Sequence, residues 1–196
     1  MKKFLKIFFL IAIIFQQFNC VEVSYARREA IQGISKEDLQ KMTIDQNIQF
    51  LEKTDSYFEV AVRKLAEIGE NSVDPLLEHL RDNRDNKQIV TATIYTLGRI
   101  GPKSARAIPT INNFVRSDEI DIRNAAISAL GRIGRKSERS IPLIKDALTD
   151  ENEFTRTLAY RALIGIGTPQ AKSIAKEYQK RLEIANKIKA KQGKSD

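Results

Sequence analysis

The sequence predicts an all-α protein, an α-solenoid of about four stacked helical hairpins with an N-terminal capping helix. Two observations carry that expectation. Leu97-Gly98-Arg99-Ile100-Gly101 recurs 33 residues later as Leu130-Gly131-Arg132-Ile133-Gly134. After a further 33 residues Leu163-Ile164-Gly165-Ile166-Gly167 echoes it, and a weaker copy, Leu65-Ala66-Glu67-Ile68-Gly69, lies 32 residues upstream of the first. A fixed period in this range means supersecondary units stacked on their neighbours, not one closed globule. Between the copies, apolar residues recur at helical spacing and are punctuated by glycine, proline and acidic residues, as short helices joined by tight loops require.

The chain opens with Met1-Lys2-Lys3 and a run from Phe4 to Phe15 that is apolar except for Lys6. A charged start followed by a short apolar core is the pattern of a secretory leader, too short for the roughly 20 residues of a comfortable membrane span. Ser24-Tyr25-Ala26 puts small residues at the two positions a signal peptidase reads, so residues 1–26 are expected to be removed, leaving Arg27 first. Cys20 is a competing site, as the lipidation point of a bacterial lipoprotein leader, although Gln17-Phe18-Asn19 lacks the small and aliphatic residues such leaders carry. An uncleaved anchor helix is the third reading. The expected location is the periplasm or cell envelope of a bacterium. Cys20 is also the only cysteine, so the mature chain offers no disulfide, thiolate nucleophile or thiolate metal site. Its fold must rest on packing.

Residues 27–55 read as half a repeat that covers the apolar end of the stack. Ser35-Lys36-Glu37-Asp38 resembles an N-cap with an acidic residue three positions on, so a helix is expected from about Lys36, and Ile44, Ile48 and Leu51 follow at helical spacing. From 56 to 178 two kinds of helix alternate. In the first kind, from Ile120 to Gly134, residues Ile122, Ala125, Ala126, Ala129, Leu130 and Ile133 fall on one side and Asn124, Ser128 and Gly131 opposite. Gly134 suits the left-handed turn that closes a helix, and Gly98 and Gly131 suit close backbone packing. In the second kind, Ser104 and Ser137 are expected N-caps, Pro109 and Pro142 sit near the first turn, and Ile108, Ile111, Phe114 or Ile141, Ile144, Leu148 form the apolar stripe. Acidic residues follow before the next helix, where carboxylates suit the positive helix N-terminus: Asp82, Asp85, Asp118, Glu119, Asp150, Glu151 and Glu153. Residues 179–196 are a basic helix end and tail.

The blocks Ala107-Ile108-Pro109-Thr110-Ile111, Asp121-Ile122-Arg123-Asn124-Ala125-Ala126 and Ala129-Leu130-Gly131-Arg132-Ile133-Gly134 resemble HEAT repeats, specifically the short variety named after phycobilisome lyases. The resemblance covers residues 56–178. It departs at the arginine of the Ile-Arg pair, present as Arg123 and Arg156 but replaced by Val90 and Phe58 in the earlier repeats, and the first repeat has a shorter inter-helix loop. The resemblance implies a scaffold or peptide-binding surface more than any one reaction.

Enzymatic relatives find little support. HEAT-like hydroxylases hold two irons through several His-Glu pairs, whereas this chain has one histidine, His79, which follows Glu78, and one imidazole cannot build such a site. Nothing marks a chromophore pocket of the lyase kind. Nucleic acid is not an expected partner: the net charge is +8, yet residues 27–171 carry 22 Lys or Arg against 21 Asp or Glu, and residues 172–196 carry eight against three. A basic tail of that kind is a solvated helix face or a contact with acidic lipid or an acidic partner. No catalytic, cofactor-binding or metal-ligating residues are expected, and no cofactor.

What remains is surface. The exposed stripe of the first-type helices is read as Glu59, Val62, Arg63; Thr91, Ile94, Tyr95; Asn124, Ile127, Ser128; and Thr157, Tyr160, Arg161, which the resemblance places on the concave side. Arg63, Thr91, Tyr95, Arg99, Asn124, Ser128, Arg132, Thr157 and Arg161 are the expected partner-binding residues, for another protein or a peptide segment. Val62, Ile94, Ile127 and Tyr160 can instead meet the neighbouring repeat. Arg99, Lys103, Arg106, Arg132, Arg135, Lys136 and Arg139 gather on one rim and the acidic residues on the other, a dipolar slab. Membrane contact is expected only through a lipidated Cys20 or the basic tail.

Overall fold

A computed structural model describes residues 42–52 and 56–192, which are helical with no strand among them. The expected leader, Cys20 and the Ser35 cap lie outside the described residues. The helices are α1 (Ile44–Gln49), α2 (Ser56–Ile68), α3 (Val73–Asp82), α4 (Lys87–Ile100), α5 (Ile108–Asn112), α6 (Ile120–Ile133), α7 (Ile141–Asp146), α8 (Glu153–Ile166) and α9 (Pro169–Gln192). Hairpins α2/α3, α4/α5, α6/α7 and α8/α9 are the four repeats, and α2, α4, α6 and α8 stack in sequence order as one layer.

Helix α1 carries its own N-terminal signature. Thr43 caps it, its hydroxyl accepting from the Gln46 N–H at 3.3 Å while Gln46 Oε1 accepts from the Thr43 N–H at 2.9 Å, a reciprocal capping box. Asn47 Nδ2 donates to the carbonyls of Met42 and Thr43. Ile48, Phe50 and Leu51 are buried, and α1 packs on α2 and α3, closing the start of the stack.

The first layer is held at very short range. A Cβ on Gly98 would stand 2.8 Å from Ala129 Cα, one on Gly131 would stand 2.6 Å from Ala162 Cα, and one on Gly165 would strike the Gly131 carbonyl oxygen. Hydrogen in place of a side chain is therefore what lets α4, α6 and α8 meet backbone to Cβ. Val62, Ile94 and Ile127 are fully buried in this layer, as are Leu65, Leu97, Leu130 and Leu163 below it. Gly131 thus does not lie on the free face of α6: it points at α8, as does Asn124, whose Oδ1 accepts from Thr155 Oγ1 at 2.7 Å. Ser128 alone of that trio lies between the two packed flanks.

Each first-layer helix ends at a glycine of positive φ, +74° at Gly69, +71° at Gly101, +75° at Gly134 and +69° at Gly167. Gly167 is left-handed helical, whereas Gly101 and Gly134 have ψ near −140°, a conformation open essentially to glycine alone. Ser104 and Ser137 are not N-caps. They sit inside 3₁₀ turns, and Ser104 Oγ donates at 2.7 Å to the carbonyls of Leu97 and Gly101, as Ser72 does to Leu65 and Gly69. The hydroxyl adds a donor to carbonyls of the helix end, where the Leu97 carbonyl also accepts from the Gly101 N–H. The Pro109 and Pro142 expectation holds, both falling in the first turn of their helices.

Two stability outcomes follow. Ser104→Ala should cost about 1 kcal/mol in urea unfolding, the scale of a buried hydrogen bond, whereas Ser137→Ala should cost less, because Ser137 Oγ has no hydrogen-bond partner. Gly131→Ala should cost about 1–3 kcal/mol, the usual penalty of overpacking, read as a lower urea midpoint.

Candidate functional site

The acidic loops before the helices are built for structure. Arg123, on the first turn of α6, donates to the Ser117 carbonyl at 2.6 Å and pairs with Asp150 of the next repeat at 2.9 Å. Only 18% and 14% of those two side chains is exposed. Arg156 repeats the motion 33 residues on, donating to the carbonyls of Asp150 and Glu151. The helix N-termini are capped by Asn86 and Asn152, not by the neighbouring carboxylates. Lys87–Glu119 and Arg116–Asp146 tie further repeats together, and a shallow cleft between the loop 115–118 and α7 is spanned by Arg116–Asp146 and Arg123–Asp150. On the opposite rim Arg106 reaches back to Glu70 and Asp74. The expected dipolar slab is thus partly neutralised on both rims.

The free face of the first layer differs. Tyr95, half-buried on α4, is flanked by Arg99 one turn on and by Arg132 of α6, whose guanidinium carbons lie 5.9 and 5.4 Å from its ring centroid. Arg99 Nη1 donates to the Tyr95 oxygen at 3.1 Å. Phe58 of α2 stacks on the ring from the other neighbour, 6.1 Å between centroids at 29°. Tyr95, Arg99 and Arg132 were legible as candidates in the sequence. Phe58 was legible only as a departure from the repeat pattern, because nothing in its spacing says that α2 brings it to Tyr95.

The other candidates are scattered in role. Arg63, Arg161 and Thr157 are exposed. The hydroxyls of Thr91 and Thr157 donate back to their own helices, at Lys87 and Glu153, so they offer no outward donor. Asn124 serves the α6–α8 contact. Tyr160 sits 6.1 Å from Tyr178 and its hydroxyl donates to Gln179, which binds α8 to α9. His79 is half-buried, with Nδ1 3.2 Å from Asn83 Nδ2. No group of three or more His, Cys, Asp or Glu able to hold a metal occurs among the described residues, and no described helix is long and apolar enough to cross a membrane.

Close-stacked helical hairpins with an arginine–aromatic cluster on one layer define an α-solenoid. A family model of HEAT repeats matches the chain over residues 74–164 and again over 108–181, together more than half of its length, and the chain belongs to the HEAT-repeat family. Among solved structures it is similar to a designed armadillo repeat protein in complex with the peptide (KR)4, with 15% identity, a TM-score of 0.52, and 81% of this chain and 82% of that one covered. An engineered protein solved as a structural-genomics target is also similar, with 17% identity, a TM-score of 0.47, and 70% and 69% covered. At these identities the likeness is one of fold. No curated protein matches the chain.

Removing one partner of the Arg123–Asp150 pair leaves the other poorly solvated. Asp150→Asn should lower stability by about 1–3 kcal/mol, and a double-mutant cycle with Arg123→Gln should show coupling, since both side chains share one network.

Proposed function

We propose that this protein is an exported, non-enzymatic scaffold that holds another protein, or an extended segment of one, on the free face of its first helical layer. HEAT and armadillo repeat folds are typically protein-interaction scaffolds, and the armadillo neighbour holds a peptide. The observation that carries the reading is the cluster of Tyr95, Arg99, Arg132 and Phe58 on that face. Tyrosine and arginine are the residue types that most often anchor interfaces. The first-layer helices also meet at backbone-to-Cβ range at Gly98 and Gly131, which makes that layer a rigid platform. A non-enzymatic role is supported by where the polar groups go: the buried serines and the Arg123–Asp150 pair serve helix ends and repeat contacts.

Export rests on the Lys-flanked apolar run and Ser24-Tyr25-Ala26. A second reading, a membrane-tethered adaptor, is favoured by α9, which exposes Leu182, Ile184 and Ile188 beside Lys180, Arg181 and Lys187. Membrane fractionation of the full chain and of a Cys20→Ser variant separates the readings: recovery of both as soluble protein favours the free scaffold, loss from the membrane only in the variant marks a lipid on the thiol, and retention of both marks contact through α9.

Peptides selected from a random phage-displayed library on the purified full chain test the main reading. They should lose about tenfold or more in affinity for a Tyr95→Ala, Arg132→Ala, Arg161→Ala variant, the scale of a hot spot, with an unchanged thermal midpoint. Unaltered binding by the folded variant would remove this face as the site.

A further inference from the structure

We propose that Tyr95, Arg99 and Arg132 form a carboxylate-binding site that seats an acidic side chain of an extended Asp/Glu-rich partner segment lying across α4, α6 and α8. The inference rests on the reading above that this face is the binding surface.

The cluster offers donors and no free acceptor role. Tyr95 accepts from Arg99, so its own O–H proton is left to point elsewhere as a donor. Guanidinium groups near a ring at 5.4 and 5.9 Å are held in place by the ring, and beyond the one Arg99 Nη1 bond to Tyr95 their N–H groups meet no oxygen among the described residues. A carboxylate accepts two parallel N–H bonds from such a fork, and this charge-assisted geometry is about twice as strong as a neutral hydrogen bond. Two forks around one phenol hold one carboxylate or a neighbouring pair.

Charge on the face agrees. The arginines that folding uses have oxygen partners: Arg106, Arg116 and Arg123 each meet a carboxylate at 2.7–2.9 Å, and Arg156 meets two carbonyls. No ion pair joins Arg99 or Arg132 to a carboxylate among the described residues, although both are exposed. Helix α4 contains no acidic residue, and α6 and α8 carry only Asp121 and Glu153, each in the first turn at the far end from the cluster. The helix C-termini beside Arg99 and Arg132 contribute roughly half a negative charge each. Full positive charges there outnumber them, since Lys103, Arg135 and Lys136 continue the same end exposed. In the first repeat Glu67 holds the register of Arg99, so the acidic segment stops at α4 and does not run on to α2.

A single nucleic-acid strand fits less well. Phe58 already covers the Tyr95 ring and two guanidinium groups flank it, leaving no open face for base stacking.

Fluorescence anisotropy on the purified full chain, with labelled (Asp-Glu)4, octalysine and an eight-residue oligothymidylate as probes, decides the matter. The expected result is binding of (Asp-Glu)4 that weakens with salt, a loss of about tenfold for Arg99→Gln and for Arg132→Gln, and a change of less than about twofold for Arg135→Gln and Lys136→Gln, which remove equal charge outside the cluster. Octalysine should not bind. Failure of (Asp-Glu)4 to bind, equal losses from the control pair, or oligothymidylate binding as tightly with the same arginine dependence would each overturn the carboxylate site. If library peptides bind this face without enrichment in Asp or Glu, the carboxylate site is wrong and the scaffold reading stands. If no selected peptide depends on the face, the scaffold reading itself is wrong.

Discussion

The stack depends on an approach that only hydrogen permits. Gly98 against Ala129 and Gly131 against Ala162 bring three helices to backbone contact, and every feature of the first layer follows from that spacing. Glycine inside a helix costs roughly 1 kcal/mol relative to alanine, so two such residues at equivalent positions need a compensating gain. The gain is the burial of Ile94, Leu97, Ile127 and Leu130 with no exposed surface. Each aliphatic side chain fully removed from water contributes about 1.5–3 kcal/mol, which outweighs the helix penalty. The last repeat shows the rule by contrast. At Ile164, the register of Gly98 and Gly131, the side chain is 50% exposed, and among the described residues no further first-layer helix packs on it.

Short helices leave many backbone groups bare, and side chains at matching positions of neighbouring repeats answer this. Carbonyls at the ends of α2 and α4 are closed by Ser72 and Ser104, while the loops before α6 and α8 are closed by Arg123 and Arg156. Orphaned polar groups at buried helix ends would each cost about 1–3 kcal/mol. Because Arg123 also pairs with Asp150 of the following repeat, a local closure becomes a link between units. This linkage occupies Arg116, Arg123 and Arg156, whereas Arg99 and Arg132 meet no carboxylate among the described residues and flank Tyr95 on the face of the first layer.

That face is not uniform. In the row that reads Arg63, Tyr95, Ser128 and Arg161, the ring of Tyr95 gathers its neighbours from three different helices: Phe58, Arg99 and Arg132. Thr91, Asn124 and Thr157, one turn away, are turned to their own helices or to the next repeat. A regular scaffold thus concentrates its recognition chemistry near the middle of the stack, where helices on both sides hold it in place.

Sequence by itself determined the repeat, its period, the two helix types, the glycines and the class of fold, because these depend on patterns local to 33 residues: helical apolar spacing, a glycine at each helix end, a proline in each second helix. It also marked Tyr95, Arg99 and Arg132 as surface candidates, since residues at the same repeat register share a face. Tertiary structure alone decided which flank of α6 meets α8, and so removed Gly131 and Asn124 from the free face. It alone turned Ser104 from an expected cap into a hook on the preceding helix, and brought Phe58 onto Tyr95. These outcomes depend on distances between helices that no single repeat contains: a period says which residues are equivalent, but only packing says which of them touch.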